Sequence, residues 1–342
     1  MTDTTPGHVP VWARELFATP NDNTPIEWRD DALYIRGTHE RVPWIDGILD
    51  LRPNSIARVR AQGAQASTTQ DTMGELAFWE ATADAYDHDV LGSEKPFAQR
   101  RLARMVASVL EPTEASGTLT VEVGTGTGDM TQRHLAAGRR VVCTDLSIDM
   151  LRVAKKRLGD NPDVLLVAAD ILAFPFRDGV FDSAIGLGVL HHIPEDMPAF
   201  FRGLWRILRV GGSFAFREPS LYNLFNRYYF DWNRSENLSP NEMPLRHDDM
   251  IDWALEAGMV EVKASLDGLV LPQMPTAMAW VAERVEPLVR KSFFAKPLLG
   301  GFIVSGMRQP AGGLRGEAFS AAHQGERGRK VQSRHQTNPH LA

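Results

Sequence analysis

Cysteine is nearly absent from the sequence, since Cys143 is the only one in a chain of 342 residues. One cysteine excludes a disulfide framework and a cysteine-based zinc site within the chain. Long hydrophobic runs are missing too: no stretch approaches the roughly 18 to 20 apolar residues of a membrane span, and residues 1–6 lack a signal-peptide pattern. We therefore predict a cytoplasmic protein without a membrane span and without a metal.

Acidic residues outnumber basic ones. The chain has 37 lysine and arginine residues and 43 aspartate and glutamate residues, which gives a net charge of −6. This balance argues against nucleic acid as the main partner. Arg100, Arg101 and Arg104 on one predicted helix, with a basic C-terminal tail, keep RNA binding open as an alternative. A solvated helix face is the other explanation of these arginines.

Glycine is concentrated in the segment VEVGTGTGD, residues 121–129. Residues 119–123 have the pattern of a buried strand, and a helix can begin at Asp129. Alternate glycines allow positive φ and remove the Cβ atoms that would keep a ligand away from the main chain. The spacing differs from the Gly-x-Gly-x-x-Gly of dinucleotide-binding domains, and no lysine follows to bind a phosphate. We therefore predict a loop that contacts a ligand without phosphates.

From residue 119 the chain alternates predicted strands and helices, which indicates an α/β fold with a doubly wound, mostly parallel sheet. Predicted helices begin near residues 129, 147 and 197, and Gly211 and Gly212 are predicted to end the last of them. Two further helices precede the sheet, at residues 75–86 and 97–110. The predicted strands cover residues 119–123, 140–144, 164–168, 180–187, 213–217, 260–265 and 301–307.

Polar residues follow the predicted strands, where an open parallel sheet binds its ligand. Asp145, after the second strand, is suited to accept hydrogen bonds from both hydroxyls of a ribose. Asp170, after the third, is suited to accept one from an adenine amino group while Ile171 covers the ring. These features predict an adenosyl ligand. Three more residues follow the fourth and fifth strands: Gly188, His192 and Glu218.

Several blocks resemble, in order and spacing, the type 11 family of class I S-adenosylmethionine (SAM) dependent methyltransferases. The resemblance implies a seven-stranded sheet whose last strand is antiparallel, SAM as methyl donor and S-adenosylhomocysteine as product. The matching blocks are residues 121–128, 144–145, 169–170, 174–182, 190–192 and 208–212.

Positions in the resembling family imply which residues bind the cofactor. Glu122 and the glycine loop would serve the methionine end of SAM, Asp145 the ribose, and Asp170 with Ile171 the adenine. Tyr86, on a preceding helix, would reach the methionine carboxylate, with core packing as its alternative role. The implied cofactor residues are Glu122, Gly124, Thr125, Gly126, Gly128, Asp145, Leu146, Asp170, Ile171, Gly188 and Tyr86.

The catalytic hypothesis concerns the Leu-His-His segment after the fourth strand. His192 is the predicted base that takes a proton from an oxygen acceptor, and Glu218 is predicted to orient its ring. His191 is adjacent, but consecutive side chains diverge, so we expect only one of the pair to face the pocket. The alternative is that the histidine caps the following helix or packs beneath the cofactor.

The sequence as a whole divides into five predicted segments. Residues 45–52 weakly resemble the end of a zinc-ribbon-like domain, but the zinc-binding cysteines are missing, so that module is expected to be metal-free. The segments are a flexible N-terminus (1–25), a small strand-rich module (26–53), a linker (54–75), the methyltransferase domain (76–309) with helical cap inserts (219–247 and 269–299), and a disordered tail (310–342).

The two inserts favour a small-molecule acceptor, because a cap over the cofactor would turn its apolar surface to the active site. We predict methyl transfer to oxygen or carbon of a small, mainly hydrophobic acceptor. An RNA or protein methyltransferase and a non-catalytic SAM-binding scaffold are the alternatives. Packing within the insert is the other explanation of its aromatic residues, which in the first insert are Tyr222, Phe225, Tyr228, Tyr229, Phe230 and Trp232.

Overall fold

A computed structural model describes most of the chain. The described residues are 9–20, 22–30, 32–53, 70–84, 86, 96–232, 238–239, 241–269, 275–290, 292 and 297–309. The predicted tail, and residues 54–69 of the predicted linker, lie outside this range. No helix within it is long and apolar enough to cross a membrane.

Strands and helices alternate through the central part of the chain. The strands are β1 (Ile26–Arg29), β2 (Ala32–Ile35), β3 (Trp44–Ile45), β4 (Ile48–Asp50), β5 (Leu119–Val123), β6 (Arg140–Asp145), β7 (Val164–Ala168), β8 (Phe181–Leu187), β9 (Leu208–Pro219), β10 (Met259–Asp267) and β11 (Gly301–Arg308). The α-helices are α1 (Gln70–Thr82), α2 (Pro96–Leu110), α3 (Asp129–Ala136), α4 (Ile148–Leu158), α5 (Met197–Ile207), α6 (Leu224–Trp232), α7 (His247–Glu256) and α8 (Thr276–Val289).

Within the described residues, one sheet of nine strands has the order β10-β11-β9-β8-β5-β6-β7-β4-β3. Its five central strands pair in parallel, and β11 is antiparallel to both of its neighbours. The strand order reverses between β5 and β8, which is where such sheets bind ligands. The prediction of a doubly wound, mostly parallel α/β fold with an antiparallel last strand is therefore confirmed.

Helices α2, α3, α4, α5 and α7 pack against this sheet. In α5 the buried residues recur with helical spacing, and Phe200 packs edge-on against Phe216 of β9 with ring centroids 5.4 Å apart. The start of α4 is fixed by Ser147, whose hydroxyl accepts a hydrogen bond from the amide of Met150 at 3.2 Å. This packing and capping hold the strand ends, and the loops that follow them, in place.

The N-terminal segment departs from the prediction of a flexible end. Residues 9–20 are well packed: Phe17 is fully buried, pairs with Phe176 in a β-bridge, and lies in the core that surrounds α5. The prediction is wrong for these residues because a few large apolar side chains in a Thr- and Pro-rich segment supply enough buried area to hold it.

The predicted strand-rich module is not separate from the methyltransferase domain. β1 and β2 form their own two-stranded sheet, but the β3–β4 hairpin joins the main sheet, with Leu49 in parallel register with Val167 of β7. The sheet therefore has two strands more than the family resemblance implies. The hairpin covers the edge of β7, whose backbone groups would otherwise be unpaired.

The helix end predicted at Gly211 and Gly212 is also wrong. Helix α5 ends at Ile207, and residues 208–219 run on as one strand. The pairing of β9 with β8 shifts register between Phe181 and Ser183, which places the two glycines in a bulge. Gly211 has φ of 75°, which explains why the sequence has glycine there.

Candidate active site

The glycine loop between β5 and α3 has the predicted conformation. Gly124, Gly126 and Gly128 have φ angles of 66°, 55° and 81°. A Cβ atom on Gly124 would lie 2.4 Å from a methyl group of Val189, whereas the space beside Gly126 holds no atom within 4 Å. The amide of Thr125 donates to the carbonyl of Thr144 at 2.9 Å, which ties the loop to β6. The loop therefore leaves its middle glycine open to a ligand.

Asp145, at the end of β6, lies beside that open glycine. Its Oδ2 accepts a hydrogen bond from the amide of Gly126 at 2.8 Å, and its Oδ1 accepts one from the amide of Ser147 at 2.9 Å. Burial raises the pKa of Asp145, and these two amide donors oppose the rise. Each carboxylate oxygen has a second lone-pair direction, so the side chain can still accept hydroxyl groups.

The predicted adenine side lies at the next strand end. Asp170 is half-buried, and its Oδ1 accepts a hydrogen bond from the amide of Leu172 at 2.9 Å. Burial raises its pKa. Ile171 is partly buried and packs against the main core. The carbonyl of Leu146 accepts a hydrogen bond from Arg52 at 3.3 Å, so the N-terminal hairpin supports this side of the site.

Glu122 differs from the other predicted cofactor residues because it is fully buried. Its Oε2 accepts a hydrogen bond from the hydroxyl of Thr131 on α3 at 3.0 Å, and its Oε1 has no partner among the described residues. Burial raises its pKa to about 8. Tyr86 is half-buried and packs edge-on against Trp79, with ring centroids 5.7 Å apart. Contact of Glu122 and Tyr86 with a cofactor stays a prediction.

Glu218 does not orient His192, contrary to the catalytic hypothesis. Its carboxylate is fully buried and accepts the backbone amides of Val189 at 3.1 Å and Leu190 at 3.0 Å. Its Oε2 also lies 2.8 Å from Nδ1 of His191. The residues after Gly188 form a short 3-10 turn that points its amides at the end of β9. Glu218 therefore holds this turn and the first histidine.

His192 contacts residues from two distant segments. Its Nδ1 lies 2.8 Å from the hydroxyl of Ser239 and 3.4 Å from Oε2 of Glu75 on α1. Trp79 packs edge-on against the imidazole, with ring centroids 5.1 Å apart. Burial raises the pKa of Glu75, but the hydrogen bonds from His192 and the amide of Asn241, together with the charge of His192, outweigh burial and the net shift is downward. The carboxylate that accompanies His192 is therefore Glu75.

The two imidazole rings lie together, so the expectation that they diverge is wrong. Their centroids are 4.1 Å apart at an angle of 38°. His191 Nε2 lies 3.3 Å from Glu242 Oε1, and Glu218 contacts its other nitrogen. Burial lowers the pKa of His191, but these two carboxylates outweigh burial and raise the pKa to about 10. The rings converge because the segment around residues 239–242 offers acceptors to both.

Three residues around the histidines were not predicted from the sequence: Glu75, Ser239 and Glu242. Only Glu75 has a local signal, because Trp79 is four residues later on the same helix face and donates to its carboxylate at 3.2 Å. Ser239 donates its backbone amide to Oε2 of Glu242 at 3.1 Å. These residues reach the histidines through tertiary packing, which no periodic pattern in the sequence records.

The arginines that kept RNA binding open are partly accounted for by the structure. Arg104 and Arg100 on α2 both pair with Glu283 of α8, at 3.0 and 3.4 Å. Burial lowers the pKa of Arg101 to about 10. This part of α2 therefore packs against the second insert and pairs with its acidic side chain.

Comparisons with known proteins point to methyltransferases. Residues 121–216 match the sequence profile of the methyltransferase domain family. A demethylmenaquinone methyltransferase of Thermobifida fusca is 31% identical over 161 residues, which are 46% of this chain and 65% of that protein. An uncharacterized methyltransferase of Anoxybacillus flavithermus is 28% identical over 150 residues, 43% of this chain and 68% of the relative. The matches thus span about two thirds of these relatives.

Two solved structures are also similar. A SAM-dependent methyltransferase of Thermotoga maritima, described as a possible histamine N-methyltransferase, has a TM-score of 0.48 and 17% identity; the match covers 68% of this chain and 99% of that one. The second is geranyl diphosphate C-methyltransferase of Streptomyces coelicolor, in complex with Mg²⁺, geranyl diphosphate and S-adenosylhomocysteine. Its TM-score is 0.49 and its identity 14%, and the match covers 71% of this chain and 100% of that one.

The sheet order, the open glycine loop and the acidic residues at the strand ends define a class I methyltransferase fold. Residues 121–216, which contain these features, match the family profile. Residues 121–216 therefore resemble a methyltransferase domain, in agreement with the predicted class I methyltransferase.

Proposed function

We propose that the protein transfers the methyl group of SAM to oxygen or carbon of a small, mainly apolar acceptor. The observation that carries this proposal is the space beside Gly126, which no atom fills within 4 Å and which adjoins the Asp145 carboxylate. It lies at the reversal of strand order, where this class of sheet binds ligands. SAM, when bound, supplies a methyl group on a positively charged sulfur that is a good leaving group.

The chain's own residues fit an adenosyl cofactor. The Gly124–Gly128 loop removes side chains from the path of the methionine part, and Asp145 accepts the ribose hydroxyls on its free lone pairs. Asp170 and Ile171 lie one strand further along, at the distance along the sheet edge where the adenine would follow. Each strand is about 4.8 Å from the next, so the three sites form a continuous row.

We further propose that His192 takes the proton from an oxygen acceptor. A hydroxyl is a weak nucleophile until it loses its proton, and a positioned imidazole is the usual acceptor of that proton. Ser239 and Glu75 contact Nδ1 and fix the orientation of the ring. His192 would hold the proton released from the acceptor oxygen, and SAM would supply the methyl group that replaces it. Most of the remaining acceleration comes from in-line positioning.

The residues around the histidines support an apolar acceptor. Phe230 of α6 is buried and faces the ring of His191 edge-on, with centroids 6.5 Å apart. The aromatic insert therefore reaches the end of β8, where the acceptor is expected. The Thermobifida fusca relative is named for demethylmenaquinone, which supports an apolar, ring-containing acceptor.

Release of S-adenosylhomocysteine with a panel of phenols, quinols and carboxylic acids tests the proposal. We expect turnover with at least one apolar hydroxyl compound, and loss of that turnover at limiting SAM in Asp145→Ala. Total RNA and bulk protein serve as alternative acceptors in the same assay. Turnover with RNA alone would establish the competing function, and SAM binding without turnover on any acceptor would establish a scaffold.

A further inference from the structure

Three metal-ligating side chains converge where the turn after β8 meets the segment 239–242. His191, His192 and Glu242 each offer one ligand atom, and these atoms lie within 4.8 Å of one another. His191 Nε2 and Glu242 Oε1 are 3.3 Å apart. Two ligands of a tetrahedral zinc ion with bonds of about 2.0 to 2.2 Å are separated by about the same distance.

Two of the three side chains, those of His191 and Glu242, are also held by neighbours on their outer sides. Glu218 lies 2.8 Å from Nδ1 of His191, on the opposite side of the ring from Glu242. A carboxylate on the far nitrogen of a metal-bound histidine is the usual support of such a ligand. The backbone amide of Ser239 donates to the second oxygen of Glu242. The cluster is therefore positioned before any ion binds.

Three largely buried carboxylates surround the two imidazoles. The side chains of Glu75, Glu218 and Glu242 are 8%, 0% and 13% exposed. Among the described residues, each of these carboxylates pairs with a histidine and none pairs with a lysine or arginine. Buried carboxylates require a compensating cation or strong hydrogen bonds. These carboxylates would also attract a divalent ion placed between the histidines.

We propose that His191, His192 and Glu242 bind one divalent transition-metal ion, for which Zn²⁺ is the best-fitting probe. Two imidazoles and one carboxylate suit Zn²⁺, whereas Mg²⁺ prefers a shell of oxygen ligands. The sequence analysis expected no metal because it considered cysteine, and here the ligands are histidine and glutamate. The site is separate from the residues assigned to SAM.

Zn²⁺ binding at this site would affect catalysis, and this consequence rests on the proposed function. An ion bound to His192 occupies the imidazole that would take the acceptor's proton. Zn²⁺ is therefore expected to lower turnover on a hydroxyl acceptor, and Glu242→Gln is expected to need more Zn²⁺ for the same inhibition.

Calorimetric titration of chelator-treated, full-length protein with Zn²⁺ tests the binding itself. We expect one site in the wild type, at least tenfold weaker binding in Glu242→Gln, and no site for Mg²⁺. Glu283→Gln is the matched control, because its side chain is 11% exposed and lies in the pair with Arg100 and Arg104. A variant whose C-terminal histidines His323, His335 and His340 are changed to glutamine should bind Zn²⁺ like the wild type, because these histidines are not part of the proposed site.

A second pair of measurements keeps the test independent of folding and of turnover. His191→Asn should also lose the site, and if that variant unfolds, Glu242→Gln still decides the result. Co²⁺ in place of Zn²⁺ should give visible absorption bands that Glu242→Gln weakens. Equal Zn²⁺ affinity in Glu242→Gln and the wild type, or equal binding of Mg²⁺, would overturn the proposal. A failure to find any methyl acceptor leaves this binding measurement unaffected.

Discussion

At the scale of single residues, the cofactor side of the site was more predictable than the catalytic side. Asp145 and Asp170 each follow a strand directly, so their place at the sheet edge follows from where the strand ends. Glu75 and Glu242 reach the histidines from segments more than 160 residues apart in sequence, and their position depends on tertiary packing. For the same reason the partner of Glu218 was misassigned by one residue.

The role of His192 is tested by substitution with asparagine, which retains a hydrogen-bonding group but cannot take the proton at neutral pH. We expect kcat on an oxygen acceptor to fall by about 10²- to 10⁴-fold with little change in SAM affinity. Saturating acceptor and a metal chelator should be present in the assay. His39→Asn, an exposed histidine on the same chain, is the control. A near-normal kcat in His192→Asn would leave positioning as the whole mechanism.

The raised pKa of Glu122 predicts how the stability of the protein depends on pH. Its pKa is about 8 in the folded protein and about 4.5 when unfolded, so the folded state binds the proton more tightly. The stability from this group is complete below pH 4.5 and is lost as the pH rises through 8. Glu122→Gln cannot ionise, so its free energy of unfolding relative to wild type should rise by a few kcal/mol over that range, at about 1.4 kcal/mol per pKa unit.

Urea unfolding of both proteins at several pH values between 5 and 9 measures this difference. Glu195→Gln, an exposed glutamate, should run parallel to the wild type at every pH. Parallel curves for Glu122→Gln as well would show that Glu122 is already ionised at pH 5.

At the scale of elements, the periodic segments were predicted within a few residues. The strand at residues 164–168 has the predicted bounds, because five consecutive apolar residues leave no other arrangement in a parallel sheet. The end of α5 was misplaced because two glycines can serve a helix end or a bulge with the same local signal. The structure chooses the bulge, since β9 pairs with β8 on both sides of it.

Two side chains of α6 test whether the first insert contacts the acceptor. Phe230 is 8% exposed and faces His191, whereas Tyr228 is 59% exposed on the same helix. We expect Phe230→Ala to raise the acceptor KM several-fold and to leave the Kd for SAM unchanged, because it removes apolar surface only on the acceptor side. Tyr228→Ala should change neither. A loss of thermal stability alone in Phe230→Ala would favour core packing as its role.

At the scale of the whole molecule, the N-terminal residues belong to the same folded unit as the methyltransferase sheet. The hairpin β3–β4 extends the sheet beyond β7, and Arg52 reaches the carbonyl of Leu146 beside the candidate site. The sequence showed the strands themselves but not their pairing partner. Pairing between segments more than a hundred residues apart has no local signal in a single sequence.

Removal of residues 1–53 therefore should not release an intact domain. Phe17, Leu49 and several other fully buried side chains would be lost, each worth about 1.5 to 3 kcal/mol. We expect the shortened protein to aggregate or to unfold at a temperature lower by roughly 10 °C or more. Removal of residues 1–8 alone is the control. An unchanged Tm after the larger deletion would contradict the single-unit architecture.

The central claim is that the open glycine of the loop after β5 receives SAM, and calorimetry on two glycine variants tests it most directly. Gly126 and Gly138 both have positive φ, at 55° and 72°, and neither has an atom within 4 Å of the position of a Cβ. Alanine at either position therefore adds similar backbone strain, but only position 126 lies beside Asp145. The account predicts that Gly126→Ala weakens SAM binding about tenfold or more, a free-energy change of about 1.4 kcal/mol, while Gly138→Ala binds like the wild type. Equal SAM affinity in both variants and the wild type would contradict it.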